Sequence, residues 1–282
     1  MPLDQVDVDE YEAQMTFLEH LEALRWHLVR SLVAVVIGAI FAFIKGPYIF
    51  DKILLGPTRE DFWSFRKLCE LGEKLGRPET LCIGDMNFVV KTVNIQEQFY
   101  QHFMIAAIGG LIFAMPYILF EIYRFVKPAL RSTEKKYSGL VITFASLLFF
   151  TGITFGYFIL TPISVNFLGT YTLSESIVRE FTVASVVSFI SLLTLGSGII
   201  FELPIVIYFL AKIGILTADT MKAYRRVAVV VILILSALIT PPDVTSQIIL
   251  SFPILLLYEI GIVIARKVAP EPIELDLDEE NE

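Results

Sequence analysis

Six stretches of this chain are apolar over lengths suited to a lipid bilayer, and they restrict the fold class before any motif is read. They run from about Leu28 to Ile44, His102 to Phe125, Tyr137 to Leu160, Thr182 to Ala211, Val227 to Thr240 and Thr245 to Ala265. At about 1.5 Å per residue, a hydrocarbon layer of about 30 Å takes about 20 residues of helix. The second, third, fourth and sixth runs reach that length, and the first nearly does. The fifth offers only 14 apolar or small residues, or about 21 Å of helix, so the bilayer must thin or polar ends must snorkel around it. Composition agrees, with 55% hydrophobic and 18% charged residues in a chain of 282, against about 45–50% and about 25% in soluble domains. The fold class expected is an all-α integral membrane protein with six transmembrane helices. A polar segment of 27 residues precedes the first run and no small-residue cleavage site follows it, which reads as a retained anchor and not a signal peptide.

Orientation follows from the positive charges. Arg124, Lys127, Arg131, Lys135 and Lys136 lie between the second and third runs, and Lys212, Lys222, Arg225 and Arg226 between the fourth and fifth. The opposite short connections, about Pro162 to Phe181 and Pro241 to Asp243, carry only Arg179. The positive-inside rule therefore places both termini in the cytoplasm. The first connection, about residues 45–101, holds eight basic and eight acidic residues, and a long loop of balanced charge hardly influences orientation. It also holds both cysteines, Cys69 and Cys82. In a non-cytoplasmic loop such a pair is expected to form a disulfide, worth about 3 kcal/mol through loop-closure entropy. Around the first of them the segment SFRKLCELGEKLG has helical spacing, with Phe65, Leu68, Leu71 and Leu75 on one face and Gly76-Arg77-Pro78 as its stop.

The chain divides into a polar N-terminal segment (1–27), a membrane domain (28–266) and an acidic tail (267–282) too poor in apolar residues to fold alone. A net charge of −8 and the lack of a basic stripe interleaved with aromatics argue against nucleic-acid binding. Catalytic signatures are missing as well. The histidines are His20, His27 and His102; there is no H-E-x-x-H pair, no later histidine to act as base for Ser197 in its Leu-Gly-Ser-Gly setting, and no phosphate-binding glycine loop. No metal ligand set, cofactor or enzymatic activity is expected.

Polar residues inside apolar runs need a reason, because an acid at the centre of a span costs about 2.5 to 3.5 kcal/mol. Glu202, in SGIIFELPIVIYFL, is either an interhelical hydrogen bond that holds the bundle or a recognition site, and Pro204 interrupts the ladder beside it. Gln247, Leu250 or Ser251, and Glu259 fall near one face of the last run, a polar stripe that calls for a partner or a cavity. Asp243 after Pro241-Pro242 most simply caps the start of that helix. At the other end of the chain, FLEHLEALRWHL spaces Phe17, Leu18, Leu21, Leu24 and Leu28 along one side. The segment reads as an amphipathic helix lying on the cytoplasmic surface. Its Glu19 and Glu22 either pair with Arg25 or await a cationic ligand.

Taken in order, HLEALR, FVKPALRSTEKK, FELP, TPPDVTSQ and LLYEIG resemble the TatC family, the polytopic receptor subunit of the twin-arginine protein translocase. The resemblance covers about residues 16–266, with about 59–95 looking like an enlarged loop. It implies a glove-shaped bundle of six transmembrane helices in the bacterial cytoplasmic (inner) membrane that binds twin-arginine signal peptides of folded cargo. It further implies assembly with single-span TatA- and TatB-type subunits, self-association in the receptor complex and use of the proton-motive force. The signal-peptide surface would comprise Glu19, Glu22, Leu24, Arg25, Phe125, Pro128 and Glu134. Glu202, Gln247 and Glu259 would meet partner helices, and Asp243 would belong to the outer cap. One departure stands out: the family usually reads HLEELR, and here the second acid is Ala23. Glu19, one turn earlier on the same face, is the residue that could replace it. The short fifth run would thin the bilayer on one side of the molecule and so ease passage of a folded protein. A rival reading, an ion-coupled secondary transporter using Glu202 and Glu259, finds no repeat pairing the two halves of the chain.

Overall fold

A computed structural model describes residues 17–59, 61–74, 76, 88–126, 138–174 and 180–268. Its first helix, α1 (Phe17–Ile44), is continuous for 28 residues. The amphipathic segment is therefore continuous with the first apolar run and not a separate helix. No proline interrupts it, and adding a turn to an existing helix is far easier than nucleating a second one at an angle.

After α1 the chain forms a single π-helical turn (Ile49–Leu54) and then α2 (Trp63–Lys74). Phe65 of α2 is buried against Val165. The helix stops at Gly76, whose φ of +68° is a left-handed conformation that glycine adopts without steric cost. Cys69 on α2 is disulfide-bonded, while Cys82 lies outside the described residues. Mass mapping of the oxidised protein is expected to recover the peptides of Cys69 and Cys82 joined; two freely alkylated thiols would refute the pairing and weaken the assigned orientation.

The strand β1 (Val89–Lys91) follows, then α3 (Glu97–Val126). The long first connection thus ends at Glu97, and much of it is ordered. β1 pairs in parallel with β2 (Glu180–Thr182), Val89 against Glu180 and Lys91 against Thr182. An ion pair between Lys91 and Glu180 and an edge contact of Phe88 with Phe181 flank the ribbon. Three residues per strand are too few for any periodicity to show, and both strands come from segments read as loops.

Between them, α4 (Ser138–Phe155) passes through a π-helical stretch (Gly156–Leu160) into α5 (Thr161–Thr170). Pro162 does not end this helix as expected. The wide turn before it absorbs the missing N–H, and the Thr161 hydroxyl donates to the Gly156 carbonyl at 2.8 Å. Next come α6 (Val183–Phe201) and α7 (Leu203–Lys212), separated at Glu202 with Pro204 in the first turn of α7. The chain closes with α8 (Ala218–Ala223), α9 (Arg225–Ile239) and α10 (Val244–Val268).

Among the described residues, five helices are long and apolar enough to cross a membrane. At 15 residues α9 is shorter, and Val227, Val230, Val231, Ile234 and Leu238 on it are exposed. Glycine sets the closest helix contacts. A Cβ on Gly110 of α3 would stand 2.5 Å from Ala39 N and 2.6 Å from Val35 O of α1, and one on Gly152 of α4 would stand 2.7 Å from Ser197 O of α6. Lacking that carbon, the backbones touch directly. The core is distributed between the helices. Leu54, Ile105, Val187 and Ile190 form one cluster, Leu160, Ile232, Leu250 and Ile254 another, and Ile207, Met221, Ile262 and Ala265 a third.

Candidate functional site

The helix pair α1 and α3 brings together, at one end of the bundle, residues nearly one hundred positions apart. Glu19 and Glu22 lie on the first turns of α1, where Glu22 and Arg25 are exposed and Leu24 is half-buried. Phe125, half-buried at the end of α3, meets the His27 ring edge-on with centroids 6.0 Å apart. Pro128 and Glu134 lie outside the described residues. The structure therefore brings Phe125 at the end of α3 against α1 at His27, two residues beyond Arg25.

A charged cluster adjoins this contact. Glu121 of α3 is 1% exposed and its Oε2 receives the His27 Nδ1 at 2.5 Å, with Arg30 Nη1 4.0 Å away. The Tyr117 hydroxyl, one turn back on α3, also hydrogen-bonds Glu121. This acid is not among the site residues expected from the sequence. The available signal was polar side chains inside apolar runs: Arg30, with His27 beside it, near the start of one span and Glu121 near the end of the next, and such groups find each other in a bundle.

Glu202 is found at the break between α6 and α7. It is 7% exposed, and neither carboxylate oxygen has a hydrogen-bond partner among the described residues. Ile205 and Val206 donate their backbone N–H groups to its carbonyl, so the side chain is left over while the local backbone is satisfied.

The polar stripe on α10 turns toward its own chain. Gln247 Nε2 donates to Leu233 O of α9 at 3.1 Å, Ser251 donates to Gln247 O at 2.7 Å, and Glu259 accepts from Arg225 Nη2 at 2.7 Å. Much of the stripe thus fastens α9 to α10, which a periodicity argument about α10 alone had no means of showing. Asp243 caps α10, its Oδ2 accepting from Ser246 N at 2.6 Å, while Oδ1 is buried without a partner among the described residues. Beside it the hydroxyls of Ser164 and Ser246 meet at 2.9 Å.

At the opposite end of α3, Glu97 is buried and accepts backbone N–H groups from Val93, Asn94 and Ala184 at 2.8 to 3.2 Å. It ties the β1 segment to the start of α6. Glu97→Ala would leave three donors without their acceptor, so a loss of about 2 kcal/mol in thermal stability is expected. A melting temperature unchanged from the parent protein would refute that role.

Residues 19–253 match the family model for the Sec-independent protein translocase protein TatC. The TatC protein of Blattabacterium is 37% identical over 89% of this chain and 95% of its own length. That of Aquifex aeolicus is 32% identical over 89% and 95%. Two crystal structures of the twin arginine translocase receptor TatC, one in the detergent DDM, superpose with TM-scores of 0.66 and 0.69 at 31% identity. They share 87–88% of this chain and 97–99% of theirs. With this match over most of its length and its set of long apolar helices, the chain is a multi-pass membrane protein that belongs to the TatC family of Sec-independent protein translocase components.

Proposed function

We propose that the chain is a twin-arginine signal-peptide receptor that recruits single-span TatA- and TatB-type subunits to export folded cargo across the bacterial cytoplasmic membrane, driven by the proton-motive force. The observation that carries this reading is the near end-to-end likeness to structures described as twin arginine translocase receptors. In this arrangement α9 is a sixth, short span, and both termini lie in the cytoplasm, on the side of the nine basic residues in the two short loops. The start of α1 and the end of α3 then face the cytoplasm. To Glu19, Glu22 and Glu134 we assign the carboxylates that receive guanidinium forks, and to Leu24, Arg25, Phe125 and Pro128 the remaining contacts with the peptide. Glu202, Gln247, Glu259 and Asp243 are assigned to contacts with partner helices and neighbouring receptor copies.

The purified full chain should bind a fluorescent twin-arginine signal peptide more tightly than its twin-lysine counterpart. Glu134→Ala should weaken that binding about tenfold and change folding stability by no more than about 0.5 kcal/mol. Equal affinity for the two peptides would reject the receptor reading; unchanged binding in Glu134→Ala would move the site off the loop.

A further inference from the structure

We propose that Glu121 is an acidic contact for the arginine pair of the signal peptide, covered by His27 until the peptide binds; this rests on the receptor reading above. Two adjacent guanidinium groups call for two carboxylates. Of the described acids at this end of the bundle, Glu259 and Asp219 already hold Arg225 and Lys222 of the same chain. Glu22 is exposed on α1. Glu19 also stands on the first turns of α1, and Glu121 is the buried acid, held against His27, which in turn meets Phe125.

Its present partners leave it short of a full cation match. The groups that face it are His27 and Arg30 from α1 and Tyr117 from its own helix, with Arg124 one turn farther along. His27 and Tyr117 each offer a single hydrogen bond. Arg30, the permanent cation, stands 4.0 Å away with its side chain 45% exposed, beyond hydrogen-bonding distance. A buried carboxylate gains most from a planar guanidinium that donates two parallel N–H bonds. Arg30 does not supply that geometry, and an incoming arginine can.

The cover is able to move. The His27 side chain is 15% exposed and separates Glu121 from the surface. One turn before it on the same face of α1 stands Ala23, which carries only a methyl group beside the imidazole. On this proposal Glu121 of α3 adds a carboxylate to those of Glu19 and Glu22 on α1, where HLEALR lacks the second acid of the family pattern.

The test compares affinities of twin-arginine and twin-lysine signal peptides for the detergent-purified full chain and its variants. Glu121→Gln, which keeps shape and a hydrogen bond to His27, should weaken twin-arginine binding about tenfold or more while barely changing twin-lysine binding. Glu121→Asp should recover part of the preference. His27→Ala, which removes the cover and leaves the acid, should tighten the twin-arginine peptide selectively, and it decides the matter if Glu121→Gln does not fold. An unchanged arginine-to-lysine ratio in Glu121→Gln overturns the proposal. So does an equal weakening of both peptides by His27→Ala, which would make the pair a clasp between helices only. Failure of the unsubstituted protein to prefer arginine would instead bring down the receptor reading.

Discussion

Gly110→Leu is expected to keep the chain from accumulating as a folded protein. Even a methyl group at this position would stand 2.5 Å from the backbone nitrogen and 2.8 Å from the Cα of Ala39, and 2.6 Å from the Val35 carbonyl. All three are backbone atoms of a long helix, so no side chain can rotate aside. Overpacking of this kind costs about 1–3 kcal/mol for a modest enlargement and more for a large one, out of a total of about 5–15 kcal/mol. The lost contact is the one that aligns α1 with α3, and with it the meeting of His27 and Phe125. Gly139→Leu serves as the control, since a Cβ there meets nothing within 4 Å. Fluorescence-detected size-exclusion profiles should show the Gly110 variant depleted or aggregated and the Gly139 variant close to the parent. A monodisperse Gly110→Leu protein with parental thermal stability would contradict this packing.

The second large effect has opposite signs in two assays. Glu202→Leu should make the isolated protein more stable, because it removes a carboxyl buried without a hydrogen-bond partner among the described residues, a burden of about 1–3 kcal/mol. The same substitution should lower export of a twin-arginine reporter by an order of magnitude or more, roughly the loss of one hydrogen bond to a charged group at about 1.5–3 kcal/mol. A carboxyl held ready at a helix break has that energy to offer a polar group on a partner helix. Parental export would leave Glu202 without a working role. A fall in the melting temperature of the isolated protein would mean that the acid is bonded within the chain.

What could be read beforehand was whatever depends on neighbours along the chain. Runs of apolar residues announced the spans, the shortness of Val227–Thr240 reappears as the 15-residue α9, and Pro204 marked the interruption at Glu202. Gly76 ended α2 for the stereochemical reason that glycine usually does. The relations between distant segments were not legible. Nothing in the pattern around Lys91 points to Glu180, and nothing around Glu259 points to Arg225; such pairs depend on how helices rotate against each other. Pro162 misled for another reason. A proline reads as a stop unless the preceding turn widens, and the π-helical stretch from Gly156 to Leu160 has no pattern of its own to reveal it. The Glu121 cluster lay between these cases, its charges visible but their pairing dependent on the close approach that Gly110 permits.

The ribbon of β1 and β2 also sets a schedule. Lys91 and Glu180 are 89 residues apart, so at about 5–20 residues per second the first strand waits roughly 5 to 20 s on the ribosome before its partner exists. Glu97 waits almost as long for the Ala184 amide, 87 residues on. During that interval α1 and α3 can already lock through Gly110, while the opposite rim has its hydrogen-bonding groups unspent and open to water. The two ends of the same helix pair thus mature at different times. Nascent chains stalled before residue 180 should be clipped by added protease near Val89, and chains extended past residue 190 should resist it there.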